Sequence, residues 1–230
     1  MATANEPPES LTLLTEIVLA SEVDAQSLRK VAEQAAEEIS NVPTESERRV
    51  LEARRLFQLG IWAIGHGTTR QADQYFADSL EEAEQSLLLT ESSEAHRAIS
   101  DALQQLLGIR GFFFQVANAG RALESARRAV ELDGLDAGAR LSLVSFLSSA
   151  PRIVGGDPTE ALVHLEEARA LSPESDMLRF LLAIWTARLA AQSGDRELTE
   201  RSLGEARAIY PKSWFLAETV SVTTRDLASR

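Results

Sequence analysis

The sequence of 230 residues contains no cysteine, and it has only 12 glycines and 7 prolines. The lack of cysteine excludes a disulfide-stapled fold, which small secreted proteins use when they cannot build a large core. With 44% hydrophobic residues, the chain is too apolar for a disordered or collagen-like protein. Few helix breakers, together with many alanines, leucines, glutamates and arginines, favour an all-helical protein.

Positive charge is also scarce, since the formal net charge is −12. Binding to nucleic acid requires a basic surface that displaces counterions from phosphates, so we expect no nucleic-acid partner. An anionic membrane surface is disfavoured for the same reason. Only Lys30 and Lys212 among the 23 basic residues are lysines. The remaining arginines suit ion pairs between helices or the capture of a carboxylate, or they reflect a compositional bias of the source genome.

Long apolar runs are missing as well, because no stretch approaches 18 uncharged apolar residues, and we expect no membrane insertion. The first basic residue is Arg29, so the N-terminus lacks the basic region of a secretory signal. We therefore expect a cytoplasmic protein, or a periplasmic one if the chain is a processed form. Residues 1–10 are predicted to be a disordered tail, and residues 11–230 a single helical-repeat domain, because no long linker divides them.

Helix start and stop signals recur along the whole chain, without a convincing strand pattern. Ser21 with Asp24 is predicted to open a helix, Thr44 and Glu47 match a capping box, and Asp157 precedes a proline at the first helical position. Short connectors are expected to place consecutive helices antiparallel. The predicted helices begin near residues 11, 21, 44, 69, 92, 113, 136, 158, 175, 195 and 213.

Three segments, residues 122–134, 161–173 and 199–211, end alike, and their ends lie 39 and 38 residues apart. A fixed period in this range indicates stacked helical hairpins, in which each hairpin covers the apolar face of its neighbour. The pattern resembles the tetratricopeptide repeat (TPR), a family that places small or aromatic residues where two helices touch. The residues that carry the resemblance are Leu59, Gly60, Gly67, Ala72, Phe76 and Ser79; Ala122, Ala126, Ala129 and Gly134; Ala161, Leu165, Ala168 and Pro173; and Leu203, Ala206 and Pro211.

The resemblance covers about Glu47 to Pro211 and implies an all-α fold. The expected architecture is a right-handed α-solenoid of antiparallel helix hairpins with irregular repeats. Mapping onto the family places Met177, Phe180, Ile184 and Arg188 towards the concave side. Gly or Ala at a helix contact lets two backbones approach closely, which is the physical basis of such a stack.

A second resemblance lies in one loop, from Pro151 to Asp157, which contains Gly155 and Gly156. It is similar to repeat proteins around the T-component of TRAP transporters. That family's members are periplasmic lipoproteins that associate with a solute-binding subunit and contain an internal ligand path. This chain has neither a signal sequence nor a lipid-bearing cysteine, so the resemblance carries over only to the loop. The glycines also suggest a phosphate cradle, but the lysine of a P-loop is missing, and a turn that caps the next helix explains them without a ligand.

Signals for catalysis or metal binding are absent from the sequence. The three histidines, His66, His96 and His164, share no HxxxH or HExxH spacing. No GxSxG motif supports nucleophilic catalysis, and the acidic groups are spaced like the solvated faces of amphipathic helices. We therefore expect no enzyme activity, no cofactor and no metal.

Apolar excess is the stronger functional clue, because residues 177–189 are apolar over more than one helical stripe. Such a helix is buried between layers or lines a groove. We hypothesise a non-enzymatic scaffold that binds another protein or a peptide in its concave groove. The alternative is a small-ligand-binding or transporter-accessory protein with an internal cavity near the loop, and uncapped solenoid ends also favour self-association. The candidate groove residues, each of which could instead be structural, are Met177, Phe180, Ile184, Trp185, Arg188, Arg140 and Arg54.

Overall fold

A computed structural model describes residues 7–21, 24–171 and 174–229. In these ranges the protein consists of helices, and no β-strand is present. The helices are α1 (Glu9–Ala20), α2 (Ala25–Ser40), α3 (Glu45–Gly65), α4 (Thr69–Leu89), α5 (Ser93–Ile109), α6 (Phe112–Leu132), α7 (Ala137–Ser149), a 3-10 helix (Arg152–Val154), α8 (Pro158–Ala170), α9 (Asp176–Ser193), α10 (Arg196–Ile209) and α11 (Trp214–Ala228).

Side-chain caps explain why several helices begin where the sequence predicts. Asp157 accepts hydrogen bonds from the backbone N–H groups of Thr159 and Glu160, and Pro158 occupies the first helical position. Other caps differ from the prediction: Ser21 ends α1 in a left-handed conformation, and Asp24 alone caps α2. Thr44 stands at the start of α3, but its side chain makes no capping hydrogen bond.

Consecutive helices pack as antiparallel pairs, and each pair packs against the next. The pairs are α1/α2, α3/α4, α5/α6, α7/α8 and α9/α10, with α11 packed on α9 and α10 at the end. We call the earlier helix of each pair, together with α11, a first helix, and its partner a second helix. Each first helix therefore covers an apolar flank that its predecessor leaves open.

Small residues hold the two helices of a pair together, as the repeat resemblance implies. A Cβ atom at Gly60 would lie 2.5 Å from the fully buried ring of Phe76. Buried serines add hydrogen bonds between paired helices, since Ser79 Oγ donates to the Ala53 carbonyl at 2.8 Å and Ser100 Oγ to the Ala122 carbonyl at 2.9 Å. Gly60 and Phe76, two residues that carry the repeat resemblance, thus lie where two helices touch.

The stack curves with the first helices on the inside. Successive first helices contact one another directly. Long side-chain ion pairs join the second helices α4, α6 and α8 instead: Arg121 with Glu84, Arg128 with Glu91 at 2.9 Å, and Arg127 with Glu160 at 2.9 Å. An arginine–glutamate pair spans a wider gap than the one between two helices in direct contact. The second helices are therefore farther apart than the first helices, and they form the outer, longer arc.

The curvature brings the two ends of the stack together. Helix α1 contacts α9 and α11, and the backbone N–H of Trp214 donates to Ser21 Oγ at 3.2 Å. Leu19 packs in the same apolar cluster as Phe180. A Cβ atom at Gly65, the last residue of α3, would lie 2.6 Å from the indole nitrogen of Trp214. Helices α1 and α3 at the start of the stack thus contact α9 and α11 at its end.

Two predictions fall partly on residues outside the described ranges. Residues 1–6 of the predicted N-terminal tail lie outside them, and α1 begins at Glu9. Pro173, which ends one of the predicted repeats, also lies outside the described residues.

Gly60→Ala tests the close contact between α3 and α4. We expect it to lower the free energy of unfolding by about 1–3 kcal/mol, because the new methyl group overlaps the immobile Phe76 ring. The matched control is Gly108→Ala in α5, where nothing lies within 4 Å of the added atom. Helix propensity should make that control neutral or more stable by up to about 1 kcal/mol. Urea denaturation of both variants checks the prediction, and equal stabilities would contradict it.

Candidate functional site

The inner face of the stack is lined by α3, α5, α7, α9 and α11. Concave surfaces of this kind are where solenoids bind their partners. Along this face, helices that are otherwise apolar carry a stripe of partly buried polar side chains. They are Arg54 and Gln58 on α3; Arg97, Asp101 and Gln104 on α5; Ser145 on α7; and Arg188 and Gln192 on α9.

At one end of the inner face, charged groups from three helices meet. Arg97 Nη1 lies 3.0 Å from Asp136 Oδ2 at the start of α7, and Ser142 Oγ donates to Asp101 at 2.5 Å. A side chain at Gly138 would overlap the Arg97 guanidinium, so this glycine leaves the room that the ion pair needs. We call Arg54, Arg97, Asp101, Asp136 and Ser142 the charge cluster.

Partial burial shifts the proton affinities of the charge cluster. Burial raises the pKa of Asp101 to about 6, although the Arg97 charge and the hydrogen bond from Ser142 act in the opposite direction. Burial, together with the positive charge of Arg97, lowers the pKa of Arg54 to about 10, against the opposing effect of Asp136, Glu94 and Asp101. Arg54 therefore stays protonated at neutral pH, whereas Asp101 changes charge just below it.

At the other end of the inner face, Arg188 lies between two aromatic rings. Its Cζ atom is 5.0 Å from the ring centroid of Trp185 and 5.0 Å from that of Phe215. Arg188 Nε donates to Thr219 Oγ1 at 3.3 Å, and Nη2 lies 3.6 Å from a Glu218 oxygen. Burial lowers the pKa of Arg188, and the Glu218 charge opposes that shift. Two aromatic rings and polar groups of α11 thus hold Arg188 in place.

Three of the candidate groove residues pack between helices. Phe180 and Ile184 are fully buried among α9, α10 and α11, in one cluster with Leu19, and Met177 is partly buried beside them. Trp185 is buried as well, at 7% exposure, with only an edge near the inner face. Phe180 and Ile184 thus have no surface to offer a partner, because the end of α1 covers them.

Arg140 lies apart from the other candidate arginines, inside the α7–α8 pair. Its Nε donates to the Gly134 carbonyl at 3.0 Å, its guanidinium pairs with Glu167, and it contacts His164 Nδ1 at 3.4 Å. The structure thus places Arg54 in the charge cluster and Arg188 beside the aromatic rings, while Arg140 stabilises a helix pair.

The Pro151–Asp157 loop is fixed by close packing. Gly155 has a φ of +99°, and a Cβ atom there would lie 2.5 Å from the Leu123 side chain of α6. A side chain at Gly156 would overlap the Ala150 carbonyl, and the Asp157 N–H donates to the Leu147 carbonyl at 2.9 Å. The capping hydrogen bonds from the N–H groups of Glu160 and Thr159 lower the pKa of Asp157. Packing and capping account for both glycines and the aspartate.

The histidines do not assemble a metal site. His66 stacks on Trp62 with ring centroids 4.0 Å apart, His96 pairs with Glu91, and His164 lies beside Glu160 and Glu167. Across residues 7–21, 24–171 and 174–229, no group of three or more histidine, aspartate or glutamate side chains could hold a metal ion. Over the same ranges, none of the helices has the length and hydropathy needed to cross a bilayer.

An open cleft of about 650 Å³ lies on the outer side between α4, α5 and α6. Its apolar floor includes Leu87, Ile99 and Leu123. The arginines on its rim already pair with glutamates of neighbouring helices, as Arg121 and Arg128 do. The polar groups of this cleft are thus largely satisfied within the protein.

Comparisons with known proteins agree with this architecture. The TRAP transporter T-component family matches residues 114–217, just under half of the chain. In structure, the chain is similar to TTC0263, a thermophilic TPR protein of Thermus thermophilus, with 16% identity, coverage of 94% of this chain and 97% of that one, and a TM-score of 0.56. It also matches YrrB, described as a TPR protein with an unusual peptide-binding site, at 15% identity, 94% and 92% coverage and a TM-score of 0.40. No curated protein matches the sequence.

The protein is a TPR-like α-solenoid. The all-α fold of antiparallel hairpins expected from the sequence is confirmed. The match to the T-component family spans the Pro151–Asp157 loop, where the sequence alone already showed that similarity.

The charge cluster of this TPR-like protein contains residues that the sequence analysis missed, namely Arg97, Asp101 and Ser142. One local signal was present, since Arg97 and Asp101 stand four residues apart and so share one helix face. Their partners, however, come from α7: Asp136 is 39 residues from Arg97, and Ser142 is 41 residues from Asp101. Such contacts follow only from the packing of one hairpin on the next.

Asp101→Asn tests the electrostatic strain in the charge cluster. The pKa of Asp101 is raised in the folded state. Its negative charge therefore lowers the free energy of unfolding above about pH 6, and this loss of stability disappears as the carboxylate is protonated at lower pH. The amide, which can still accept from Ser142, should stabilise the protein by about 1–3 kcal/mol at pH 7.5 and have little effect at pH 3.5, below the ordinary pKa of an aspartate. Thermal unfolding at both pH values measures this. A destabilised variant at pH 7.5 would contradict the assignment.

Proposed function

We propose that this protein is a non-enzymatic binding scaffold that holds a segment of another protein against its inner face. The observation that carries the proposal is the stripe of partly buried polar side chains on helices α3, α5, α7 and α9. Even a paired buried charge, such as Arg97 beside Asp136, often stabilises a fold less than apolar residues of similar volume would. A stack selected for stability alone would therefore place apolar residues there.

The shape of the inner face supports an extended occupant. Between α5 and α9, helix α7 presents only the small residues Gly138, Ser142 and Ser145 to this side. Small side chains on one helix between larger ones on its neighbours leave a shallow channel along the stack. Gln104 borders this channel; its Nε2 donates to Ser100 Oγ and to the Ser142 carbonyl, so its side-chain oxygen is the group that can accept from the backbone of an occupant.

A transporter-accessory function is the second candidate, and one observation favours it. The T-component family matches residues 114–217, which include α7, α9 and the Pro151–Asp157 loop. In that case the occupant of the inner face would be a small ligand, or the partner would be a solute-binding subunit. Both candidates use the same face, and they differ in what it holds.

Ser145→Arg tests whether the inner face is the binding surface. The substitution fills the channel on α7 with a long side chain and removes no core contact, because Ser145 is only partly buried. We expect the amount of partner captured from a native lysate to fall at least about tenfold, since a steric block of a central contact removes about 1.4 kcal/mol or more of affinity. Quantitative mass spectrometry of the captured proteins measures this.

Gln85→Arg is the matched control, because it adds the same charge at an exposed position of the outer helix α4. It should capture the same partner as the unaltered protein. Circular dichroism must show equal helicity for both variants. If the folded Ser145→Arg protein captures as much partner as the unaltered protein does, the proposed function of the inner face is wrong.

A further inference from the structure

One edge of the stack carries bulky apolar side chains in solvent. Because the helices alternate in direction, the connections from each first helix to its second helix lie at the same edge. Phe112 and Phe113 begin α6, and Ile153 lies in the neighbouring connection, between α7 and α8. Phe113 is 89% exposed and Ile153 is 93% exposed. We call this group, which also includes the exposed Val116, the phenylalanine edge.

The opposite edge carries a second apolar group. Leu88 and Leu89 end α4, and Leu135 lies in the connection from α6 to α7. Leu88 is 79% exposed and Leu135 is 80% exposed. The two places are neighbours, since Arg128 near the end of α6 pairs at 2.9 Å with Glu91, just after α4. We call Leu88, Leu89 and Leu135 the leucine edge. Exposed apolar side chains grouped in this way mark surfaces that bind a partner.

Charge distinguishes the two edges. Residues 110–117 and 150–157, which contain the phenylalanine edge, carry two arginines and one aspartate, and that aspartate caps α8. Residues 88–94 and 131–136, which contain the leucine edge, carry five acidic residues and no basic one. Arg97 and Arg128 pair with three of these acidic residues, so an excess of negative charge remains. The surface that complements the phenylalanine edge is apolar and acidic, as the leucine edge is.

The repeat also gives the two edges matching spacing. Phe113 and Ile153 belong to connections that are one hairpin apart, and so do Leu88 and Leu135. Second helices begin at the phenylalanine edge and end at the leucine edge, so the positive start of one can meet the negative end of another. The 21 residues of α6 separate the edges by about 30 Å, several Debye lengths at physiological salt. The acidic edge of one copy therefore does not repel a contact made at its other edge.

The exposed area is sufficient for a modest interface. A whole phenylalanine side chain offers about 200 Å², so Phe112 at 69% and Phe113 at 89% exposure together offer about 300 Å². Val116 and Ile153 enlarge this apolar patch. One side of a standard interface buries about 800 Å², of which a little over half is apolar. The phenylalanine edge can supply most of that apolar share.

We propose that the phenylalanine edge of one copy of this chain docks on the leucine edge of a second copy, so that copies associate head to tail. Such a contact uses different surfaces on its two sides, and it therefore closes into a ring or continues as an open filament. Two phenylalanine edges facing each other would lack the acidic complement and the alignment of helix dipoles. The contact leaves the inner face free, so it does not depend on the proposed scaffold function.

The test is analytical ultracentrifugation of the full chain and of one double variant for each edge. The mean mass of the unaltered chain should at least double between about 5 and about 200 µM, as for a micromolar Kd. Phe113→Ser with Ile153→Ser, and Leu88→Ser with Leu135→Ser, should each associate at least about tenfold more weakly, because each pair removes the apolar centre of one edge. An equimolar mixture of the two variants should form a species of twice the chain mass and nothing larger, since each variant keeps one intact edge.

Val163→Ser is the matched control, because it removes an exposed apolar side chain from the middle of α8, away from both edges. It should associate as the unaltered chain does. Circular dichroism should give the same helicity for every variant, since all of the replaced side chains are exposed. Arg152→Glu should weaken the association severalfold at low salt and less at high salt, because screening removes its repulsion from the leucine edge.

Three outcomes would overturn the proposal. The unaltered chain stays monomeric at about 200 µM. One double variant still dimerises alone while the mixture forms no new species, which indicates a contact between two identical edges. The unaltered chain stays monomeric but sediments with vesicles of phosphatidylcholine and phosphatidylglycerol, and Phe113→Ser with Ile153→Ser abolishes this, in which case a lipid surface occupies the phenylalanine edge.

Discussion

Close approach of helices at small residues is the constraint on which the rest of this structure depends. Gly60 lets the Phe76 ring lie against α3, and serines such as Ser79 and Ser100 bond across a pair where a larger side chain would separate the helices. Each pair leaves an apolar flank that the next pair covers, so the stack propagates from one hairpin to the next. The inner face exists because this packing is tighter among the first helices than among the second helices.

Arginine acts in two ways in a chain that nearly lacks lysine. On the outer arc, arginines bridge successive second helices to glutamates, as Arg127 does with Glu160, and so span gaps too wide for direct packing. On the inner face, Arg188 lies over two aromatic rings, and the carboxylates of Asp136, Glu94 and Asp101 surround Arg54. The planar, permanently charged guanidinium suits both settings, since it pairs in solvent and tolerates partial burial better than an ammonium group. The exposure of the guanidinium groups is what distinguishes the two faces, since they are partly buried on the inner face and more exposed on the outer arc.

Most helix boundaries could be predicted because they depend on local chemistry. Asp157 followed by Pro158 starts α8, and Gly194, with a φ of +87°, ends α9, for reasons contained within a few residues. Burial within an apolar helix was harder to predict. Residues 177–189 are apolar on nearly every side, so their pattern did not separate Phe180 and Ile184, which are core, from Arg188, which reaches the inner face. Helix α1 decides this, because its end covers one side of α9.

The sequence by itself determined the helices, their antiparallel pairing and the repeat, since capping, helix propensity and the spacing of small residues act over short distances. Only the tertiary structure decided which charges meet. Arg97 reaches Asp136 and Asp101 reaches Ser142 because one hairpin stacks on the next, and Ser21 meets Trp214 because the stack curves back on itself. These contacts depend on the angle between each helix pair and the next, summed along the stack. No short stretch of sequence determines that sum.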